Sequence, residues 1–382
     1  MSTPHYEPPH DPEFEVRDTN FQGMKINMGP QHPSTHGVLR LILTLDGEEV
    51  VDCESVIGYL HRGLEKMAER RPYRQFIPFT DRLDYLCAIA GNLACAQAIE
   101  RLASVEVPER AQWLRIVLLE LNRIASHLLF IGTFGSDLGA TTALLYAFRE
   151  REACLDVMEA ITGARLTYNW IRVGGVPEDM PEGWDKGVLE FCDLIESRLP
   201  EYDKLLTKNP VFRARCEGIG VIDADEAVAY GLSGPTLRGS GVAHDIRRFM
   251  PHDAYDRVEF DVCTRPEGDV MARYLVRVCE IGESIRIVRQ ALEKMPEGPV
   301  LAKVPKVLRP PAGEAYSMVE APRGELSFYM VSDGSANPLR VHIRAPSFCN
   351  LGALSRLVIG TKVADVVSIL GSMDIVLGEV DR

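Results

Sequence analysis

The sequence lacks the motifs that mark metal-binding and membrane-spanning chains. Its nine cysteines are scattered and none forms a Cys-x-x-Cys pair, so it contains no thiolate motif for zinc or an iron–sulfur cluster. No apolar run reaches the roughly 18 residues that cross a bilayer, and the N-terminus has no apolar signal-peptide core. These features predict a reduced, cytoplasmic setting in which any membrane association is made through partner chains.

Basic residues are also few relative to acidic ones. The formal net charge is −13, which argues against nucleic acid as a partner. Hydrophobic residues make up 46% of the 382 positions, so the chain can bury a large core. The length predicts one large domain or two interlocked domains.

Apolar periodicity predicts a predominantly helical α+β protein. Apolar residues recur at helical spacing in five segments: 82–104, 109–132, 140–163, 186–207 and 269–294. Strand patterns lie near both ends of the chain, at 41–45, 50–56, 315–320, 325–331 and 339–344. Asp46-Gly47, between the first two of these segments, predicts a hairpin turn.

We expect residues 1–20 to form an extended N-terminal arm and residues 21–382 to form a single domain. Within that domain, the patterns predict a β subdomain over 21–60 and a helical core over 61–295. Residues 296–382 then add β-strands and a C-terminal segment.

Residues 29–37, Gly-Pro-Gln-His-Pro-Ser-Thr-His-Gly, are the most informative stretch. His32 and His36 lie in a loop bounded by prolines and glycines, which predicts a stiff turn. Imidazole exchanges protons near neutral pH, so the loop is a candidate proton-transfer site. The alternative is a turn whose histidines only bond nearby carbonyl groups.

Residues 81–85, Asp-Arg-Leu-Asp-Tyr, are predicted to open the central helix, where aspartates serve as caps. Tyr85 has two interpretations. It is either a core residue, or its hydroxyl binds a ligand carbonyl, because a buried phenol needs a partner.

Asp137 lies among glycines between two apolar helical segments, where a carboxylate is costly without a partner. The alternative role is an N-cap for a helix that begins at Thr141.

Two basic stretches have competing interpretations. Arg62, followed by Arg70, Arg71 and Arg74, is either part of a solvated helix face or a fixed positive charge against an electron-rich partner. Residues 234–241 are glycine-rich but lack the lysine and the preceding strand of a phosphate-binding loop. We therefore expect the arginines at 238, 247 and 248 to be structural ion-pair donors.

Taken together, these segments closely resemble the 49-kDa, or D, subunit family of respiratory complex I, the proton-pumping NADH:quinone oxidoreductase. The resemblance covers nearly the whole chain, through residues 29–40, 59–66, 81–85, 126–139, 231–247, 345–351 and 378–382. That family is similar in fold to the large subunit of nickel–iron hydrogenases, which implies a helical core with small β elements near both termini. The two hydrogenase Cys-x-x-Cys pairs are missing, so hydrogen chemistry is excluded, and the resemblance assigns the vacated cavity to a quinone headgroup.

The resemblance also implies roles for individual residues. Tyr85 and His36 would hydrogen-bond the quinone carbonyls, with Asp137 paired to His36, and Leu129 and Thr133 would complete the quinone site.

A second set of residues would face a metal cluster in a partner. Arg62 and Thr167 would lie near the terminal [4Fe–4S] cluster of the adjacent B subunit. Family members often carry a histidine where this chain has Thr167, so the chain departs from the family there.

The implied function is the quinone-site subunit of a proton-translocating NADH:quinone oxidoreductase. The chain would bind no cofactor or metal by itself, with quinone as substrate and with NADH and FMN bound elsewhere in the complex. Its partners would be subunits B, C, H and I, on the cytoplasmic side of the inner membrane. The alternatives are a homologous subunit of a complex fed by ferredoxin or deazaflavin, and a purely structural scaffold.

Overall fold

The computed structural model describes residues 23–30 and 37–382, which form an α+β structure that is mainly helical. Within those residues, no helix is both long and apolar enough to cross a membrane. The predicted fold class is confirmed. Long central segments dominate the helical part, and the strands form two small sheets.

The α-helices of the described residues are α1 (Leu64–Glu69), α2 (Tyr73–Thr80), α3 (Ala88–Ala103), α4 (Glu109–Asp137), α5 (Thr141–Thr162), α6 (Trp184–Tyr202), α7 (Pro210–Ala214), α8 (Ala224–Ala229), α9 (Gly234–Arg238), α10 (Ile246–Phe249), α11 (Val270–Lys294), α12 (Pro346–Leu351), α13 (Leu354–Val358), α14 (Val363–Met373) and α15 (Leu377–Asp381). A π-helical turn, Asp203–Thr207, continues α6. The five predicted helical segments correspond to α3, α4, α5, α6 and α11.

Two antiparallel three-stranded sheets lie at the two ends of the described chain. Their strands are β1 (Met24–Met28), β2 (Arg40–Asp46), β3 (Glu49–Val56), β4 (Gly313–Ala321), β5 (Gly324–Ser332) and β6 (Arg340–Arg344). The predicted hairpin turn at Asp46-Gly47 is confirmed, with Leu43 opposite Cys53 across β2 and β3. Side chains on β2 alternate between buried and half-buried positions, as expected for a sheet with one covered face.

The N-terminal sheet is joined to the C-terminal part of the chain. The Val50 N–H group donates to the Thr361 carbonyl at 2.9 Å, and the Gly360 N–H group donates to the Val50 carbonyl at 2.8 Å. These bonds pair residues that are far apart in sequence, so both ends of the chain contribute to one core.

Helix α4 is buried over most of its length and extends to Asp137, beyond the predicted end at residue 132. Its late glycines do not break the helix, because they let α5 approach closely. A Cβ atom on Gly132 would lie 3.0 Å from the Cβ atom of Ala147. Packing against α5 therefore outweighs the low helix propensity of glycine.

The predicted start of the central helix at residues 81–85 is wrong, because α3 begins at Ala88. Residues 81–87 form turns. The Asp84 Oδ1 atom accepts hydrogen bonds from the backbone N–H groups of Leu86 and Cys87, at 3.1 and 3.3 Å. This side chain stabilises a local turn in place of the first helical turn.

The prediction that arginines near the glycine-rich segment 234–241 are structural ion-pair donors is confirmed for two of them. Arg238 is fully buried and donates to Glu280 and Glu320, at 2.6 and 2.7 Å. Arg247, also buried, donates to Asp245 at 2.7 Å. The two Arg238 pairs link α9 to α11 and β4, whereas the Arg247–Asp245 pair stabilises the start of α10.

The cysteines differ in part from the predicted reduced state. Cys263 and Cys279 are joined by a disulfide, with their Cα atoms 6.1 Å apart. The sequence predicted a reduced setting and did not predict this bond.

Candidate functional site

Tyr85 lies in the turn before α3, and its side chain is 37% exposed. The preceding residue, Asp84, is buried. The interpretation of Tyr85 as an ordinary core residue is therefore wrong, because consecutive residues of this turn face opposite sides. Partial burial still raises the pKa of the Tyr85 hydroxyl, although the positive charge of Arg323 opposes this shift.

The C-terminal helix α15 packs directly against this turn. A Cβ atom on Gly378 would lie 2.7 Å from the Leu83 carbonyl oxygen and 3.5 Å from Cδ1 of Tyr85. The first distance is too short for a real side chain, so only glycine permits this approach of α15. The ring of Tyr85 thus borders the backbone of the C-terminal helix.

Arg62 reaches the same point from another segment. Its Nη2 atom donates to the carbonyl oxygens of Arg82 and Gly378, at 2.7 and 3.1 Å. Arg62 is exposed but precedes α1, so the alternative of a solvated helix face is wrong. A cavity of about 300 Å³ lies beside it, lined in part by His61, Gly63, Asp381 and Arg382. Arg62 and Tyr85 therefore meet at Gly378.

The end of the histidine-containing loop also lies near this helix. A Cβ atom on Gly37 would lie 3.9 Å from Cδ1 of Leu377, the residue before Gly378. His36 itself lies outside the described residues, so its predicted role stays a prediction. The residue that follows it in the chain, Gly37, is beside α15.

Leu129, Thr133 and Asp137 occupy one face of α4. Each is half-buried on a helix whose other side chains are mostly buried. Their spacing of four residues places them in a stripe about 12 Å long, at 1.5 Å per residue. The face of α4 that carries these three predicted site residues is therefore partly exposed in this chain.

The N-terminal side of this stripe is tied to the Tyr85 turn. The Asn122 side chain donates to the Leu86 carbonyl at 3.0 Å. One turn later, Ser126 Oγ accepts a hydrogen bond from Arg323 at 3.1 Å, and Arg323 also donates to Asp84 at 2.7 Å. The open face of α4 therefore begins next to the segment that holds Tyr85.

Asp137 is the last residue of α4, and the helix from Thr141 has Ala140 as its N-cap residue without a side-chain cap. The alternative role of Asp137 as an N-cap is therefore wrong. Its carboxylate lies beside α14, since a Cβ atom on Gly371 would be 3.8 Å from Oδ2 of Asp137.

Thr167 is half-buried in a loop and adopts a left-handed backbone conformation, with φ of 52°. A β-branched residue is strained there. Two residues later, the backbone of Asn169 lies near the Asp81 carboxyl group and helps to lower its pKa. Burial raises the pKa of the Asp81 carboxyl to about 6, against the opposing effects of Asn92 and Arg82.

Sequence reasoning missed a buried cluster behind Tyr85. Arg323 donates to Asp84 at 2.7 Å and to the Asp374 carboxylate at 3.1 Å, and all three side chains are largely buried. In the sequence, Arg323 is recognisable only as part of a turn between strands. The pairing of an arginine in one hairpin with aspartates from distant segments is not encoded by any local pattern.

Glu379 completes this buried cluster. Its Oε1 atom accepts a hydrogen bond from the Ser347 N–H group at 2.9 Å. Its Oε2 atom is buried and has no hydrogen-bond partner within the described residues. Burial, reinforced by the negative charge of Asp84, raises the pKa of Glu379 to about 8.

Metal-binding residues do not cluster in the part of the chain that the structure describes. Residues 23–30 and 37–382 contain no group of three or more His, Cys, Asp or Glu side chains placed to hold a metal ion. The hydrogen-bonding and charged groups around Tyr85 are suited to binding a polar organic ligand and exchanging protons with it.

Comparison with known proteins identifies the family. The profile described as respiratory-chain NADH dehydrogenase, 49 Kd subunit, matches residues 137–382. The NADH-quinone oxidoreductase D subunit of Carboxydothermus hydrogenoformans is 51% identical over 360 residues, covering 94% of this chain and 99% of the relative. The D subunit of Clostridium beijerinckii is 48% identical and covers 96% of this chain and 99% of the relative. The D 2 subunit of Sinorhizobium medicae is 50% identical, covering 97% and 98%. The chain therefore belongs to the family of the 49-kDa subunit of respiratory-chain NADH dehydrogenase, the D subunit of NADH-quinone oxidoreductase.

Proposed function

We propose that this chain forms one wall of the site where the complex reduces quinone. The observation that carries the proposal is the convergence of Tyr85 and Arg62 at Gly378, with Gly37 close by at Leu377. A phenol, a guanidinium and the segment after the two histidines thus border one surface. Such a surface offers the hydrogen-bond donors that a quinone headgroup requires.

Tyr85 would donate a proton to one quinone oxygen. Reduction of quinone to quinol takes up two electrons and two protons, and each acid must lie within hydrogen-bond reach of an oxygen. Because the pKa of Tyr85 is raised from its ordinary value of 10.0, the phenol is protonated at neutral pH. His36 is proposed as the second donor, and the electrons would come from the [4Fe–4S] cluster of the partner B subunit.

The stripe on α4 would extend this wall. Leu129 supplies an apolar surface and Thr133 a hydroxyl, although that hydroxyl already donates to the Leu129 carbonyl at 2.9 Å. Asp137, about 12 Å along the helix from Leu129, is proposed as the ionic partner of His36. Arg62 and Thr167 are proposed to face the partner's cluster.

Partner subunits would complete the chamber. Tyr85 is 37% exposed, and this chain alone does not enclose it. We propose that subunits B, C, H and I surround the chain, and that they hold it on the cytoplasmic side of the membrane. The names of the relatives include NADH, and we propose that NADH and FMN bind in other subunits of the complex.

Quinone chemistry would drive proton translocation through the His36–Asp137 pair. Loss of the imidazole proton leaves the carboxylate without its cationic partner. A contact ion pair contributes on the order of 4 kcal/mol at an effective dielectric constant of ~20, before desolvation. That energy is large enough to bias a conformational equilibrium between two states.

Photoaffinity labelling of the assembled complex tests this proposal. An azidoquinone should label peptides that contain Tyr85 or the 129–133 segment, and excess unlabelled quinone should abolish the labelling. Labelling of this chain only at sites remote from Tyr85 and α4 would contradict the proposal. It would then favour a scaffolding role for the chain.

A further inference from the structure

The turn that contains Asp84 and Tyr85 packs against the start of α15, which contains Gly378 and Glu379. Tyr85 lies on one side of this pair of segments, and the acids Asp84 and Glu379 lie on the other. Gly378 lies against the Tyr85 ring, whereas the next residue, Glu379, is buried in the cluster with Asp84. Asp84 is itself the residue before Tyr85. Each of these two segments therefore carries one residue toward the open site, Tyr85 or Gly378, and one into the buried cluster, Asp84 or Glu379.

The buried cluster has more acidic than basic groups. Asp84, Asp374 and Glu379 surround Arg323, and a second cation, Arg277, lies 3.8 Å from Asp374. With all groups ionised the cluster would carry a net charge of −1 out of contact with water. Burying an unbalanced charge is costly, so one carboxyl group should retain a proton.

Hydrogen bonding indicates which carboxyl group holds that proton. Burial raises the pKa of Asp84, but both of its oxygens accept hydrogen bonds, from backbone N–H groups and from Arg323, and these bonds oppose that rise by favouring the ionised form. Asp374 also has one oxygen, Oδ2, without a hydrogen-bond partner within the described residues, but it is paired with two cations, Arg323 and Arg277. Glu379 has one oxygen bonded to Ser347 and the other without a partner within the described residues, so it is the acid whose charge is least compensated.

We propose that Glu379 holds an exchangeable proton and supplies it to Tyr85 after each turnover. This proposal rests on the proposed function of Tyr85. When the Tyr85 O–H bond breaks, its proton passes to a quinone oxygen and a phenolate remains. The Glu379 O–H bond then breaks and its proton restores the phenol, and a proton taken up from outside the cluster restores the carboxyl group.

The direction of this transfer is favourable. The pKa of Glu379 is raised to about 8, whereas the pKa of Tyr85 is raised above 10.0. A proton therefore moves downhill from the carboxyl group to the phenolate. Arg323, which faces both residues, would stabilise the carboxylate that forms. Cys87 also lies near Arg323, but burial raises the pKa of its thiol so far that it stays neutral.

The pH dependence of quinone reduction by the assembled complex tests the proposal. In the wild type, turnover should fall as the pH rises through about 8, because Glu379 then loses its proton. Glu379→Gln should lower turnover at neutral pH by about 100-fold, the lower end for a positioned acid or base, and should remove this alkaline limb. Glu379→Asp, which keeps a titratable group, should restore part of the rate and the limb.

Two further variants separate proton transfer from a structural role. Ser347→Ala removes a hydroxyl that lowers the pKa of Glu379, so the alkaline limb should move to higher pH. Asp365→Asn, which removes a half-buried carboxylate of α14 paired with Arg215, should leave the limb in place. Infrared difference spectra should show a protonated carboxyl band that Glu379→Gln abolishes.

The outcomes distinguish this inference from the proposed function. If Tyr85→Phe abolishes quinone reduction but Glu379→Gln leaves both the rate and its pH dependence unchanged, Glu379 is not the proton source. If the assembled Tyr85→Phe complex reduces quinone normally, the proposed role of Tyr85 is wrong, and the inference about Glu379 that rests on it is wrong as well. An infrared spectrum without a Glu379 band would also overturn the inference.

Discussion

Asp84 Oδ2 lies 2.7 Å from Arg323 Nη1, and both side chains are almost completely buried. Arg323→Gln would leave Asp84 and Asp374 without their shared cation. Breaking a buried ion pair by removing one partner costs about 3–5 kcal/mol. We expect reduced assembly, and faster hydrogen exchange of residues 84–89 in the complex that does assemble. Arg165→Gln, which removes an exposed arginine with ion pairs on α5, should leave this exchange unchanged.

Tyr85→Phe should preserve assembly but nearly abolish quinone reduction. The ring keeps its packing against Gly378, and only the hydroxyl is lost. Losing a donor to a developing oxyanion costs about 100- to 1000-fold in rate. Electron transfer from NADH to an artificial acceptor upstream should continue, which controls for assembly. Quinone turnover close to the wild-type rate would remove Tyr85 from the mechanism.

Asp137→Asn and His36→Ala should each impair quinone reduction, and the double variant should be little worse than either. The two residues are proposed to act as one unit, because the carboxylate favours the charged imidazole. The measurement is the quinone-reductase rate of the wild type, the two single variants and the double variant, at equal content of assembled complex. These four rates give the coupling energy between the two residues. Losses that multiply independently would show that the residues do not act together.

Thr167 should make the potential of the partner's terminal cluster nearly independent of pH between about 6 and 8, because threonine has no group that titrates there. Asp81 is the nearby exception, since burial raises its pKa to about 6. Any dependence of the cluster potential on pH should therefore appear at the acidic end of the range, and it should vanish in the Asp81→Asn variant. Redox titration followed by electron paramagnetic resonance is the measurement. A slope near ~59 mV per pH unit across the range, the one-electron value, would contradict this expectation.

Thr167→His should add the missing titratable group without disturbing the loop. Histidine tolerates the left-handed backbone conformation at φ of 52° better than a β-branched residue does. The potential should then fall as the pH rises through the pKa of the new imidazole. A matched Thr167→Asn variant, which also suits this backbone conformation, should leave the potential independent of pH.

Glu379 should make the stability of the C-terminal segment depend on pH. Its folded-state pKa of about 8 lies above the ordinary value of 4.5, so the folded protein retains a proton that the unfolded chain releases. The stabilisation is fully present below pH 4.5 and is lost as the pH rises to about 8, by up to ~1.4 kcal/mol per pH unit. Hydrogen exchange of α15, corrected for the intrinsic effect of pH, should show this trend in the wild type. The trend should be absent in Glu379→Gln.

Local patterns predicted the helices and strands well because each carries its periodicity within a short stretch. The hairpin at Asp46-Gly47 and the strands β4 to β6 required no distant information. The boundaries failed where a tertiary contact decides the backbone. The bond between Asp84 and Arg323 helps to hold the segment before α3 in turns, so α3 begins later than predicted. Packing against α5 allows α4 to continue past Gly132, so α4 ends later than predicted.

The candidate site was predictable only in part for the same reason. Tyr85, Arg62 and Asp137 stand in motifs that can be recognised in the sequence. The acids behind Tyr85 were not predicted, because Glu379 and Asp84 approach each other only after the chain ends pair. No residue near Glu379 in sequence indicates that its carboxyl group is buried.

The pairing of α15 with the segment before α1 constrains the order of folding. The N–H groups of Gly58 and Leu60 donate to Asp381, which is 323 and 321 residues away in the sequence. Closing so large a loop has a high entropic cost, and contacts of this range form slowly. The helical core should therefore form before the surface around Gly378 exists, and the proposed quinone-binding wall would be acquired in the final step of the maturation of the chain.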